Sequence, residues 1–121
     1  MRVQILTLIL VFVVNGLKAQ SSDEALKKPD PKKKILIVEA ACGECRFKMK
    51  GDDCDLAIRI KGKTYFVDGT DIDSHGNAHA KDGFCNAIRK AEVQGEIVGD
   101  RFKVTYFNLL KDSVENKEQK N

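Results

Sequence analysis

The sequence predicts a small β-rich α+β domain: an OB-like five-stranded barrel with one short helix between its third and fourth strands. Two observations carry this prediction. Five short segments are rich in β-branched and aromatic residues, and a single helical pattern follows the third of them. Strand, strand, strand, helix, strand, strand is the element order of an OB-fold. Small two-layer α+β arrangements with the same order are the main alternative.

The first three strands are predicted from apolar runs and alternation. Ile35–Val38 is a β-branched run that follows a segment rich in lysine and proline. Cys54–Ile60 alternates, with an apolar side chain at every second position from Leu56. The turn residues 61–63 then lead into Thr64–Val67, which completes a predicted hairpin.

The helix and the last two strands are predicted from the second half of the chain. Apolar residues recur at helical spacing over Gly83–Ala91, and Arg89 and Lys90 are expected to face outward. Glu92–Val98 and Arg101–Leu110 alternate and form the predicted fourth and fifth strands.

The first twenty residues have the pattern of a signal peptide. Arg2 precedes an apolar run, Ile5–Val14, which is too short for a membrane-spanning helix of about 20 residues. Cleavage is predicted after Ala19 or Gln20, and the alternative is an uncleaved N-terminal anchor. The sequence therefore predicts an exported protein, periplasmic or extracellular, with no stable membrane anchor after cleavage.

Composition divides the rest of the chain. We expect a flexible linker rich in lysine and proline at 21–34, one compact cysteine-containing domain at 35–110 and a polar tail at 111–121. The chain has 21 basic and 18 acidic side chains, and two basic ones belong to the signal peptide, residues 1–20. This near-neutral balance argues against a nucleic-acid partner.

Five motifs stand out along the predicted domain: Ala40–Cys45, Cys54–Ala57, Tyr65–Gly69, His75–His79 and Gly83–Ala91. Together they resemble a small exported family of unknown function that is typical of Bacteroidota. The resemblance covers nearly all of residues 39–110 and implies export, a single compact domain and no established activity. Some members carry a glutaminyl-tRNA synthetase label, but this sequence has no nucleotide-binding motif to support that activity.

The four cysteines, Cys42, Cys45, Cys54 and Cys85, are the first candidates for a site. An even number in a small exported domain indicates two disulfides, with three possible pairings. One of them joins Cys54 to Cys85 and Cys42 to Cys45. Alternatively, Cys42-x-x-Cys45 supplies half of a zinc-ligand set that the other two thiolates complete. The CxxC spacing also occurs in thiol–disulfide oxidoreductases, but residues 46–54 are too short and broken for the helix such sites use.

A polar loop at 68–82 holds the second set of candidate ligands: Asp71, Asp73, His75 and His79. Its acidic and glycine positions partly overlay a calcium-binding loop. Because His75 takes the place of an oxygen ligand, imidazole with carboxylate favours zinc, copper or nickel instead. The alternative is a solvent-exposed turn in which the histidines have no role.

No catalytic constellation accompanies these residues, since the chain has neither a Gly-x-Ser-x-Gly motif nor a phosphate-binding glycine loop. The sequence therefore predicts a non-enzymatic exported binding or structural module, stapled by its cysteines, with a protein or small-ligand partner. A zinc- or copper-binding protein is the first alternative, and a thiol–disulfide oxidoreductase is the second.

Overall fold

The computed structural model describes residues 26–111, in which five strands close into a barrel. The strands are β1 (Leu36–Cys42), β2 (Leu56–Ile60), β3 (Lys63–Asp68), β4 (Arg89–Val98) and β5 (Arg101–Leu109). Around the barrel they follow the order β1-β2-β3-β5-β4, and only the β3–β5 pair is parallel. This arrangement confirms the predicted OB-like fold class.

The barrel interior is filled by alternate side chains of all five strands. Small residues lie where β1 and β4 pair, because Ala40 and Ala91 are completely buried there. Larger side chains such as Ile58, Val93 and Phe102 fill the remaining space. A core of this kind supplies the hydrophobic stabilisation of a small domain.

Two short helices interrupt the strands. The helix α1 (Gly43–Arg46) follows β1 directly, and a 3-10 helix at Ile72–His75 lies between β3 and β4, where the fold class places its short helix. Within residues 26–111, no helix is long and apolar enough to cross a bilayer. The predicted signal peptide and residues 112–121 of the predicted tail lie outside the described residues.

The predicted helix over Gly83–Ala91 is wrong. Residues 81–86 form successive turns, and β4 already begins at Arg89. Arg89 is also buried instead of facing outward, and its guanidinium donates to the carbonyl oxygens of Asp82 and Leu110. These residues form a strand instead of a helix because pairing with β1 gives residues 89–93 a hydrogen-bonded ladder and buries Ala91 inside the barrel.

The segment preceding β1 contacts the barrel at two points. Leu26 is buried, and its carbonyl oxygen accepts a hydrogen bond from Phe107 N at 3.1 Å. The buried amide of Gln94 accepts from Asp30 N at 2.7 Å and donates to the carbonyl oxygens of Asp30 and Lys33, both at 2.9 Å. Part of the predicted linker is thereby attached to β4.

We expect Gln94→Met to lower the free energy of unfolding by about 2 kcal/mol, because the three hydrogen bonds that attach Asp30 and Lys33 to β4 are lost. Urea denaturation measures the change. The matched control is Glu96→Met on the same strand, where the side chain is exposed. Equal stability of the two variants would contradict the role given to Gln94.

Candidate metal centre

The end of β1 and two loops, residues 43–55 and 69–88, bring the four cysteines together at one end of the barrel. Cys42 is the last residue of β1, and Cys45 lies in α1. Cys54 precedes β2 by two residues, and Cys85 lies in the turns before β4. Because β1 and β2 are antiparallel, Cys42 pairs with Leu56, so the chain around Cys54 returns beside it.

Backbone hydrogen bonds fix the loops against each other. Cys42 N donates to the carbonyl oxygen of Phe84 at 3.0 Å, and Gly43 N donates to that of Asp55 at 2.8 Å. These two bonds connect the end of β1 to the neighbours of Cys85 and Cys54 in the chain. Arg46 adds a third connection, since its Nε donates to the carbonyl oxygen of Cys85 at 3.0 Å.

The four sulfur atoms all lie within 4.8 Å of one another. Cys54 Sγ is 3.6 Å from Cys45 Sγ and 3.9 Å from Cys85 Sγ. In a tetrahedral site with Zn–S bonds of about 2.3 Å, neighbouring sulfurs lie about 3.8 Å apart. These two sulfur–sulfur distances match those of a four-thiolate metal site, and the remaining ones are no longer than 4.8 Å.

The turn after Cys42 has the hydrogen bonding of a metal-binding knuckle. Cys45 N donates to Cys42 Sγ at 3.2 Å, and this bond also caps α1. Glu44 connects this turn to the end of the same loop, because its Oε2 accepts a hydrogen bond from Asp55 N at 2.9 Å. Hydrogen bonds of this kind, made to and around ligating side chains, orient the ligands of metal sites.

Gly43 is required by close packing at this turn. A Cβ at this position would come within 2.7 Å of Phe66 Cε1 and 2.9 Å of Met49 Sδ. The glycine thus lets the loop between Cys42 and Cys54 lie directly on the outer surface of β2 and β3.

The cysteines differ in exposure. Cys42 is fully buried, Cys54 and Cys85 are half-buried, and Cys45 is exposed. Burial raises the pKa of Cys42 and raises the pKa of Cys85 to about 11. A hydrogen bond with the Cys42 side chain, together with burial, raises the pKa of Cys45. The CxxC pair thus lacks the lowered thiol pKa that a thiol–disulfide oxidoreductase uses.

The expected pair of disulfides is not present in this structure, where all four cysteines are free. Cys54 Sγ has two sulfur neighbours at nearly the same distance, whereas a disulfide joins one pair at about 2.05 Å. The four sulfurs form one group within 4.8 Å instead of two bonded pairs.

The family model of DUF6370, described as a family of unknown function, matches residues 36–110. The chain belongs to this family. The match runs from the start of β1 past the end of β5, so the DUF6370 region contains the whole barrel and all four cysteines. No curated protein and no solved structure matches the chain, and the glutaminyl-tRNA synthetase label has no support.

The second predicted set of ligands occupies the loop of the DUF6370 domain between β3 and β4. His75 lies on the 3-10 helix, with its Nε2 2.8 Å from Thr70 Oγ1 and its ring centroid 4.3 Å from that of Phe107. Asp71, Asp73 and His79 are exposed. Among residues 26–111, the candidate metal-binding group consists of the cysteines and includes none of these four side chains. Their assignment as ligands stays a prediction.

Two residues that the sequence analysis did not single out support the cysteine site of the DUF6370 domain. Glu44 and Arg46 flank Cys45 and hold the partner loops by hydrogen bonds to Asp55, Cys85 and Asn86. The one feature of the sequence that could have indicated Glu44 and Arg46 is their position beside Cys45. A charged residue on each side of a candidate ligand can form hydrogen bonds with the loops that carry the other cysteines.

Proposed function

We propose that this protein is a zinc-binding module in which the thiolates of Cys42, Cys45, Cys54 and Cys85 hold one tetrahedral ion. The proposal is carried by the position of Cys54 Sγ, which lies 3.6 Å from one cysteine sulfur and 3.9 Å from another. The fourth sulfur completes a group within 4.8 Å. A single ion can bind all four sulfurs after small side-chain adjustments, whereas each disulfide needs two sulfurs brought to about 2.05 Å.

Zinc is the metal that best fits this donor set. Tetrahedral sites of four sulfurs favour zinc or iron–sulfur chemistry, and a single zinc ion needs no inorganic sulfide. Four protein ligands leave no open coordination position, which is the pattern of a structural zinc site. The ion would then connect the loop after β1, the start of β2 and the turns before β4. The role we propose is non-enzymatic: zinc holds the barrel loops in place.

The test is metal analysis of the full-length chain, expressed with added zinc and purified without a chelator. We expect one zinc per chain and, after exchange with cobalt(II), the intense visible bands of a tetrahedral tetrathiolate. Cys54→Ser should lose the metal, because it removes the central sulfur. His79→Ala is the matched control and should keep it, since His79 is exposed and outside the cysteine group.

Intact mass measured on the same samples separates the alternatives. A metal-free protein in which alkylation modifies no thiol carries two disulfides, and the zinc proposal then fails. Retention of zinc by Cys54→Ser with loss from His79→Ala would move the site to the histidine loop.

We also propose that the protein is exported. The secreted protein should then have the intact mass of a chain that begins at Gln20 or Ser21.

A further inference from the structure

A groove of about 310 Å³ opens between β1 and β2, at the end of β1 remote from Cys42. Its apolar lining comes from residues 36–38 of β1 and from Ile60 of β2. Arg59, Lys61 and Lys90 add positive charge to the lining, and Glu39 is its one acidic residue. This volume is typical of a ligand site.

The groove exists because β1 extends beyond the last residue pair of its ladder with β2, which ends at Ile60. Their ladder joins Glu39–Cys42 to Leu56–Arg59 and stops there. Residues 36–38 continue to pair with β4 on their other side. Among the described residues, no strand pairs with residues 36–38 on the side of β2. The barrel therefore has a short unpaired strand edge, which is a template for an added strand.

The side chains around this edge favour an acidic, apolar partner. Ile37 is 66% exposed, a large exposed fraction for an isoleucine on a strand. Glu39 forms an ion pair with Arg59, so the one acidic charge of the groove is compensated within it. Lys61, at the turn after β2, is exposed, and its charge is available to an incoming carboxylate.

We propose that this groove binds an extended peptide segment of a partner protein, with alternating apolar and acidic side chains, as an added strand on β1. Main-chain hydrogen bonds to residues 36–38 give the segment its direction, and its apolar side chains cover Ile37. A carboxylate of the segment pairs with Lys61. An extended peptide fits better than a compact small molecule, because the free strand edge offers main-chain donors and acceptors in a row. The inference goes beyond the zinc proposal, since the groove contains no cysteine.

The probe is a fluorescein-labelled seven-residue peptide of alternating glutamate and valine that begins and ends with glutamate, titrated with the full-length chain and followed by fluorescence anisotropy. We expect saturable binding. A peptide with lysine in place of glutamate should bind at least about tenfold more weakly, because its charges repel Lys61. A third peptide, with proline in place of the central valine, should bind about as weakly as the lysine peptide. Proline lacks the N–H that the added strand donates.

Variants place the binding in the groove. Ile37→Lys and Lys61→Glu should each weaken binding of the acidic peptide by about five- to tenfold. Ile97→Lys and Lys81→Glu are the matched controls, because they make the same changes at exposed positions outside the groove and should leave binding unchanged. All four positions are exposed, so folding is expected to be preserved, and equal melting temperatures verify this.

Three results would overturn the proposal: no saturation by the acidic peptide, equal binding of the lysine peptide, or unchanged binding by Ile37→Lys. The proposal would also be overturned if dodecanoate saturates the groove and the acidic peptide does not displace it. That outcome would identify an anionic amphiphile as the occupant in place of a peptide.

Discussion

Removal of zinc by a chelator is expected to lower the melting temperature of the protein by about 15 °C or more. The proposed ion would join two loops that are far apart in sequence, residues 43–55 and 69–88, and its loss would leave the Cys42 thiol buried without a ligand. In a domain of this size, each kcal/mol of stability corresponds to about 4–8 °C in melting temperature, and a structural metal contributes several kcal/mol. Differential scanning calorimetry with and without chelator measures the shift.

The control for this prediction is Cys54→Ser, which lacks the central sulfur. Its melting temperature should already be low and should not respond to chelator. A zinc-loaded native protein whose melting temperature is unchanged by chelation would show that the ion does not hold the loops.

The barrel strands themselves should survive loss of the metal. β4 and β5 pair along nearly their whole length, and β1 pairs with both β2 and β4, through backbone hydrogen bonds that need no metal. We therefore expect hydrogen exchange to accelerate in residues 43–55 and 77–87, while β4 and β5 stay protected. The predicted effect is loosening of the loops at one end of the barrel.

Strand patterns were readable from the sequence because alternation is a local property. The predicted run Ile35–Val38 falls within one residue of the start of β1, and the hairpin of β2 and β3 has its turn where glycine and lysine indicate one. The helix predicted over Gly83–Ala91 failed for a non-local reason. Its apolar spacing suits both a short helix and a turn followed by a strand, and the ladder between β1 and β4, residues some fifty positions apart, decides between them.

The arrangement of the cysteine site also depends on non-local contacts that local sequence patterns do not reveal. Sequence alone names the four residues but leaves their relation open, because Cys54 and Cys85 are 31 positions apart. Their approach depends on tertiary hydrogen bonds such as that from Cys42 N to Phe84, which have no pattern in the sequence. The CxxC spacing predicted the one local part of the site, the turn from Cys42 to Cys45.

Gly95→Ala is expected to destabilise the fold by about 3 kcal/mol, the upper end of the usual cost of overpacking. The sheet has an irregularity between Gln94 and Gly95, where β4 shifts register against β5. A Cβ at Gly95 would overlap the backbone carbonyl oxygen of Lys103 and come within 2.8 Å of Phe102 Cε1. The carbonyl belongs to the neighbouring strand and cannot rotate away, and Phe102 is fully buried, so β4 and β5 must separate.

Urea denaturation of Gly95→Ala beside Gly99→Ala isolates this close contact. Gly99 lies in the turn between β4 and β5 at φ 65°, and a Cβ there meets nothing within 4 Å. Its substitution therefore costs only the backbone strain of the left-handed conformation, about 1 kcal/mol. The difference between the two variants measures how closely β5 approaches β4 at the irregularity. Equal stabilities would mean that the strands separate there at little cost, and the tight β4–β5 contact would then contribute nothing to holding the barrel closed.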